Sequence, residues 1–311
     1  MTAGRNLPQA VEIREVGPRD GFQNEPETIA TVDKIALIDR LARTGLKRIE
    51  ITSFVRAAVI PQLADAREVL TGIDVPAGVA RSVLIPNARG LDHALELREH
   101  FEEVGVFLSA SEEHNRRNVN RTVDESLRDL AGVIDRARGA GLRVEAIIST
   151  SFGCPYEGVV PRDRVLAIAR RLTDAGAQEI AFGDTTGMAN PVQVREHFER
   201  TGGALGADVQ LTAHFHNTRG QGLANVLAAL QAGCASFESS FGELGGCPVP
   251  PGATGNIATE DLVSMLHEMG IVTGIDLDAL LAAARAVREL LGRRLGSHTL
   301  VAGPVDWEPG G

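Results

Sequence analysis

The 311-residue chain has three cysteines, one Trp and one Tyr, and aromatic residues make up 4% of it. Three thiols with no Cys-x-x-Cys pair cannot staple a secreted scaffold, so a reducing cytoplasm is the expected setting. No stretch of about 18 apolar residues exists, which excludes a membrane-spanning helix. The opening MTAGRNLPQA has neither an apolar signal core nor an amphipathic Arg/Ser pattern, and the closing VDWEPGG carries no lipidation motif. No targeting segment or anchor is therefore expected. Lys and Arg number 31 against 41 Asp and Glu, a net charge of −10, and no basic run is long enough to track a phosphate backbone. Nucleic acid is excluded as a partner on this ground, and an anionic substrate would need a local basic site.

Glycine is abundant at 34 residues without a collagen period, which points to tight turns and close backbone approaches. Short β-rich runs alternate with helix-period segments. Strands are expected at Val11–Glu15, Arg48–Thr52, Val79–Leu84, Val104–Ser109, Arg143–Thr150, Glu179–Phe182, Val209–Phe215 and Ser236–Ser240. Helical spacing marks Val32–Thr44, Arg164–Ala175 and Leu223–Ala232, and Gly45, Gly141, Gly176, Gly233 and Gly270 read as helix ends. Eight βα units in about 260 residues is the arithmetic of an α/β (β/α)8 TIM barrel. An open doubly wound sheet also alternates this way, but no GxGxxG follows the first strand. The chain is expected to form a single domain over residues 1–311: a barrel over about 11–270, an extra C-terminal helix at Leu277–Leu291 and an irregular tail from Gly292.

A barrel of this kind holds its chemistry at the C-terminal ends of its strands. Arg19 and Asp20 follow strand 1, Glu50 and Ser53 end strand 2, Asp184 ends strand 6, and His214 and His216 end strand 7. After strand 8 comes Gly242-Glu243-Leu244-Gly245-Gly246-Cys247-Pro248, and then Asn256, expected to open a helix. Residues i and i+2 of a strand share a face, so both imidazoles can meet one ion. A bare His-x-His is equally compatible with one ring in the core and the other capping a loop. Asp20 favours the ion, because strand 1 adjoins strand 8 when the barrel closes. Two imidazoles and a carboxylate without thiolates favour Mg2+ or Mn2+ over structural zinc. Arg19 stays charged and can stabilise an oxyanion or enolate, or can pair with Glu15, Glu50 or Asp184. Cys247, in a Gly/Pro-rich loop, reads as a proton donor or nucleophile, or as a bystander. Cys234 reads as core, and Cys154 leaves both readings open.

Several long motifs occur in one order. They are Val16-Gly17-Pro18-Arg19-Asp20-Gly21-Phe22-Gln23-Asn24-Glu25, Ile49-Glu50-Ile51-Thr52-Ser53-Phe54-Val55, Gly153-Cys154-Pro155-Tyr156-Glu157-Gly158, Gly183-Asp184-Thr185-Thr186-Gly187, Leu244-Gly245-Gly246-Cys247-Pro248 and the segment from Gly255 to Leu262. In these the chain resembles the 3-hydroxy-3-methylglutaryl-CoA lyases, metal-dependent TIM-barrel lyases, from about Val11 to Leu291. The resemblance implies retro-Claisen cleavage of a 3-hydroxy-3-methyl acyl-CoA diacid to acetyl-CoA and a keto acid, in a homodimer. It implies Asp20, His214, His216 and Asn256 as ligands of a divalent cation. Arg19 would stabilise the enolate and Cys247 would donate a proton, while Glu50, Asp184 and His214 match positions that affect catalysis. Glu15, Gln23 and Glu260 match supporting positions. The stretch from Ser109 to Asn118, with Arg116 and Arg117, matches one that lines the CoA side. The hydroxyl base is assigned to Asp184 or a metal-bound water.

Phe215, Asn217, Val249 and Phe182 depart from the usual family residues. Val249 and Phe182 are expected to shape the acyl pocket, which keeps a relative substrate such as citramalyl-CoA in view. A condensing synthase would be expected to carry a further domain after the barrel, whereas only about 20 residues follow Leu291. A non-enzymatic metal or acyl-CoA sensor would be expected to have a broken catalytic set, and this set is whole.

Overall fold

The computed structural model describes residues 7–245 and 255–307. Eight parallel strands close into a barrel in sequence order: β1 Glu12–Glu15, β2 Arg48–Ser53, β3 Ala80–Ile85, β4 Glu103–Ser109, β5 Arg143–Ser149, β6 Glu179–Asp184, β7 Gln210–Phe215 and β8 Ser236–Ser239. β1 pairs with β8 from Glu12↔Ser236 to Glu15↔Ser239, which leaves no open edge. The expected α/β barrel is present, with each strand within two residues of its expected ends. Around it lie α1 Thr31–Leu41, α2 Ala66–Gly72, α3 Ala88–Leu95, α4 Glu112–Val119, α5 Val123–Gly139, α6 Arg162–Asp174, α7 Pro191–Leu205, α8 Gly222–Gln231, α9 Thr259–Glu268, α10 Leu277–Leu291 and α11 His298–Ala302. The five glycines expected at helix ends all have positive φ. Gly45 shows why: a Cβ there would lie 2.1 Å from the Gly274 carbonyl oxygen.

The alternation along the strands separates two environments. Outward positions such as Ile13, Ile49, Val104, Val106, Val144, Ile180, Ala213 and Phe237 are buried beneath the helices. The opposite positions are charged. Arg14 of β1 reaches across the barrel to Glu145 of β5 and Glu103 of β4, and bonds Glu238 of β8 at 3.0 Å. Arg48 bonds Glu103, Glu179 and, at 2.7 Å, Glu12. Glu103, Glu145, Glu179 and Glu238 thus share two buried guanidiniums, with Arg143 adding a third from the rim. Carboxylates are in excess, and burial pushes Glu103 up to about 7 even beside Arg14.

Three expectations are corrected. The tail after Gly292 is not wholly irregular: α11 forms there, its cap residue Ser297 accepting from Leu300 N and its first turn held by Asp261. Asn256 does not open a helix. α9 begins at Thr259, and Asn256 is extended in a bridge to His216. Phe182 faces the helix layer rather than an acyl pocket, because its odd-even position on β6 points outward. Its ring lies 4.5 Å from that of His197 and 5.7 Å from that of Phe198 on α7. Among these rings and Phe152, burial pushes His197 down to about 3, and its Nε2 has no partner among the described residues.

Arg14→Met leaves buried carboxylates without their shared cation. The expected cost is about 3–5 kcal/mol in urea unfolding, and a cost under about 1 kcal/mol would show that the lumenal charges are compensated otherwise.

Candidate active site and cation centre

The loop after β1 is built for close approach. Gly17–Gly21 forms one wide π-type turn, continued by a 3-10 turn at Phe22–Asn24. A Cβ at Gly17 would lie 2.4 Å from the Phe241 ring and 2.7 Å from Glu15 Oε1, so only glycine fits. The turn sets Arg19 and Asp20 at the barrel mouth. Arg19 Nε donates to Glu50 Oε2 at 2.6 Å and Nη1 to Asp20 Oδ1 at 2.6 Å. Of the carboxylates considered for Arg19, Glu50 is the partner, and Glu15 and Asp184 are not. Asp20 Oδ1 also accepts from Gln23 Nε2 at 2.8 Å, and Oδ2 accepts from Asn256 Nδ2 at 2.7 Å. Burial would raise Asp20, but Arg19, His214 and His216 outweigh it and hold the carboxyl below its usual range. Burial pushes Glu50 up despite Arg19.

His214 and His216 present Nε2 atoms 3.1 Å apart. Asp20, His214 and His216 each offer a ligand atom within 4.8 Å of the others. Two adjacent ligands about 2.1 Å from one ion lie about 3 Å apart, so this spacing fits a shared cation. Asn256 is brought to the same corner by its bridge to His216 and by Ile257 N donating to Phe215 O. Its Oδ1 is buried with no partner among the described residues, an acceptor that a cation would satisfy. These oxygen and imidazole donors suit Mg2+ or Mn2+.

One residue that sequence reasoning passed over lies directly beneath. Glu238 Oε2 is 2.9 Å from His214 Nδ1, and Oε1 accepts from Arg14 at 3.0 Å. Burial would raise Glu238, but His214 and Arg14 hold it well below the usual carboxylate range. The available signal was the polar alternation of Ser236 and Glu238 around Phe237 on β8. What makes it matter is the register His214↔Glu238, which comes from strand pairing.

Asp184 sits at the end of β6. Its Oδ1 accepts the Met188 and Ala189 amides at 2.7 and 3.0 Å, while Oδ2 is buried and unpartnered among the described residues. Burial pushes it up to about 7, with the two amides opposing. Asn118 is exposed on α4 and joins none of these contacts; Arg116 is exposed there too. Arg117 lies over the Tyr156 ring at 4.2 Å and pairs with Glu113. Cys154 and Cys234 are buried and free, and Cys247 and Val249 lie outside the described residues.

Glu15 and Glu260 tie the surrounding loops together. Glu15 accepts from Gly17 N, Phe241 N and Thr259 Oγ1, and burial pushes it up to about 7. Both Glu260 oxygens lie 3.0 Å from Gly242 N, and burial pushes this group up to about 8. A second acidic group, Glu243, Asp261 and His298, is explained by Asp261 holding the start of α11.

A family model described as HMGL-like matches residues 10–287. The hydroxymethylglutaryl-CoA lyase YngG of Bacillus subtilis is 50% identical over 293 residues, covering 94% of this chain and 97% of that protein. The 3-hydroxy-3-isohexenylglutaryl-CoA/hydroxymethylglutaryl-CoA lyase of Pseudomonas aeruginosa is 42% identical, covering 96% and 98%. The structure of an HMG-CoA lyase from Acinetobacter baumannii in complex with coenzyme A and 3-methylmalate superposes with a TM-score of 0.91 at 42% identity, covering 97% of this chain and 98% of that one. Among the described residues, no helix is long and apolar enough to cross a membrane.

Gly245 tests the cation corner. Its φ is 86°, and a Cβ would lie 2.7 Å from Asn256 Nδ2 and 3.1 Å from Asp20 Oδ2. Gly245→Ala is expected to weaken Mn2+ binding on the order of tenfold, read by the electron paramagnetic resonance of free Mn2+. Unchanged affinity would separate the Asp20–Asn256 contact from the cation. The barrel, its cation-fitting mouth and matches that run nearly the whole length of both partners agree, and the chain belongs to the HMG-CoA lyase-like family of metal-dependent TIM-barrel lyases.

Proposed function

We propose that this lyase cleaves 3-hydroxy-3-methylglutaryl-CoA to acetyl-CoA and acetoacetate. The observation that carries the reading is the convergence of Asp20, His214 and His216 with Arg19 beside them and Asp184 one strand away. The relatives named for this substrate supply its identity. Phe182, one of two residues that kept citramalyl-CoA in view, packs against α7 and so gives that alternative no support.

Breaking the bond requires loss of the 3-hydroxyl proton and a place for the electron pair of the C2–C3 bond. Asp20, His214, His216 and Asn256 would hold the divalent cation, which lowers the pKa of a hydroxyl bound to it and orients the neighbouring carboxylate. Asp184 takes the hydroxyl proton through Oδ2, which has no partner among the described residues, while the two backbone amides fix Oδ1. The oxygen's electron pair forms the ketone, and the C2–C3 pair moves onto the thioester as an enolate. Arg19, aligned by Glu50, offers Nη2 to that oxyanion, since Nε and Nη1 are engaged. Cys247 protonates the enolate carbon to give acetyl-CoA. Its place two residues after Gly245, where an added Cβ would meet both Asn256 and Asp20, supports this role. The acyl-CoA is the one small-molecule partner proposed, with a homodimer and a cytoplasmic setting carried over from the family resemblance and the sparing use of cysteine.

Acetyl-CoA release from a panel of 3-hydroxyacyl-CoA diacids is expected with Mg2+ or Mn2+ and is expected to disappear with EDTA. Turnover without metal, or none on any substrate, overturns the assignment. A base near pKa 7 must be ionised to act, so kcat/KM is expected to rise with pH through about 7. Asp184→Asn should lower kcat about a hundredfold and remove that rise. Retention of the rise in the variant would transfer the role to another group.

A further inference from the structure

We infer that Glu238 is a positioning residue for the cation centre, orienting the His214 imidazole and fixing which of its nitrogens carries the proton. The inference rests on reading Asp20, His214 and His216 as ligands. His214 Nε2 faces His216, so a cation in that corner must meet Nε2 as a lone pair, and the ring proton must sit on Nδ1. Glu238 Oε2 is the acceptor that Nδ1–H needs, at 2.9 Å. A carboxylate there also raises the donor strength of the opposite nitrogen.

Glu238 is itself held from below. Arg14 Nη1 lies 3.0 Å from its Oε1, and Arg14 is shared with Glu103, Glu145 and Glu179 from strands across the lumen. The side chain is 3% exposed, so neither water nor a rotamer change competes for the two contacts. The register pair His214↔Glu238 sets the backbones side by side, which leaves the carboxylate little freedom. The lumenal ion network therefore reaches the cation centre through the Glu238 carboxylate. A glutamine at this position could accept from Nδ1 through its oxygen only by turning its own N–H groups toward Arg14.

Mn2+ affinity, read by the resonance of the free ion, tests this in wild type, Asp20→Ala and Glu238→Gln. Asp20→Ala is expected to abolish tight binding, and unchanged binding in that variant would overturn the cation site itself. Glu238→Gln is expected to weaken binding roughly 10–100-fold with circular dichroism unchanged. A folded Glu238→Gln protein within twofold of wild type overturns the positioning role and leaves the site intact. If the variant fails to fold, Mg2+-loaded wild type decides. A downfield, exchange-protected His214 Nδ1–H resonance is expected, and a His214 ring proton placed on Nε2 overturns the inference.

Discussion

The buried ion network inside the barrel is the constraint on which the rest depends. An eight-stranded barrel must fill its lumen with side chains, and layers of branched apolar residues are the common solution. Here the lower layers hold Arg14 and Arg48 against Glu103, Glu145, Glu179 and Glu238. Charges buried to this degree are tolerable only when every member is paired and aligned. That requirement locks the relative heights of six strands, because a strand slipped by one residue would exchange a lumenal charge for an apolar side chain. The apolar driving force for folding lies on the outside of the sheet, where Ile, Val and Phe meet the helices.

Chemistry at the mouth follows from this floor. Arg14 holds Glu238, Glu238 faces His214, and His214 faces His216 and Asp20. The loops above are pinned by carboxylates that face backbone amides rather than ions. Glu15 joins the loop after β1 to Phe241 and Thr259, and Glu260 joins α9 to Gly242. Deeply buried and only partly compensated, these groups are pushed up into the neutral range. The ion-paired Asp20 moves the other way. Carboxyls of one chemical kind are thereby divided into acceptors that hold loops, a charged residue at the cation corner and, in Asp184, a group poised near neutrality.

Much of this was legible along the chain. Strand and helix periods, with glycines at helix ends, marked the eight units, and the clustering of Arg19, Asp20, His214 and His216 at strand ends marked the mouth. Asn256 was named as a ligand from resemblance alone, and its local pattern suggested a helix start. Its true conformation depends on a bridge to His216, forty residues earlier in the chain. Phe182 was assigned to the pocket because it precedes Gly183-Asp184, where a smaller residue is usual in the family. Which side of β6 it takes is set by the closed sheet, and it belongs to the α7 layer with His197.

By itself, the sequence determined the order of elements, the alternation of charged and apolar positions on each strand and the residue types available at the mouth. These are local properties, set by side-chain period and turn chemistry. Only the tertiary structure decided that Glu50 rather than Glu15 or Asp184 aligns Arg19, that Glu238 stands under His214 and that one Arg14 serves four strands. Each of those choices is a meeting of strands far apart in the chain, and barrel closure and register bring them together.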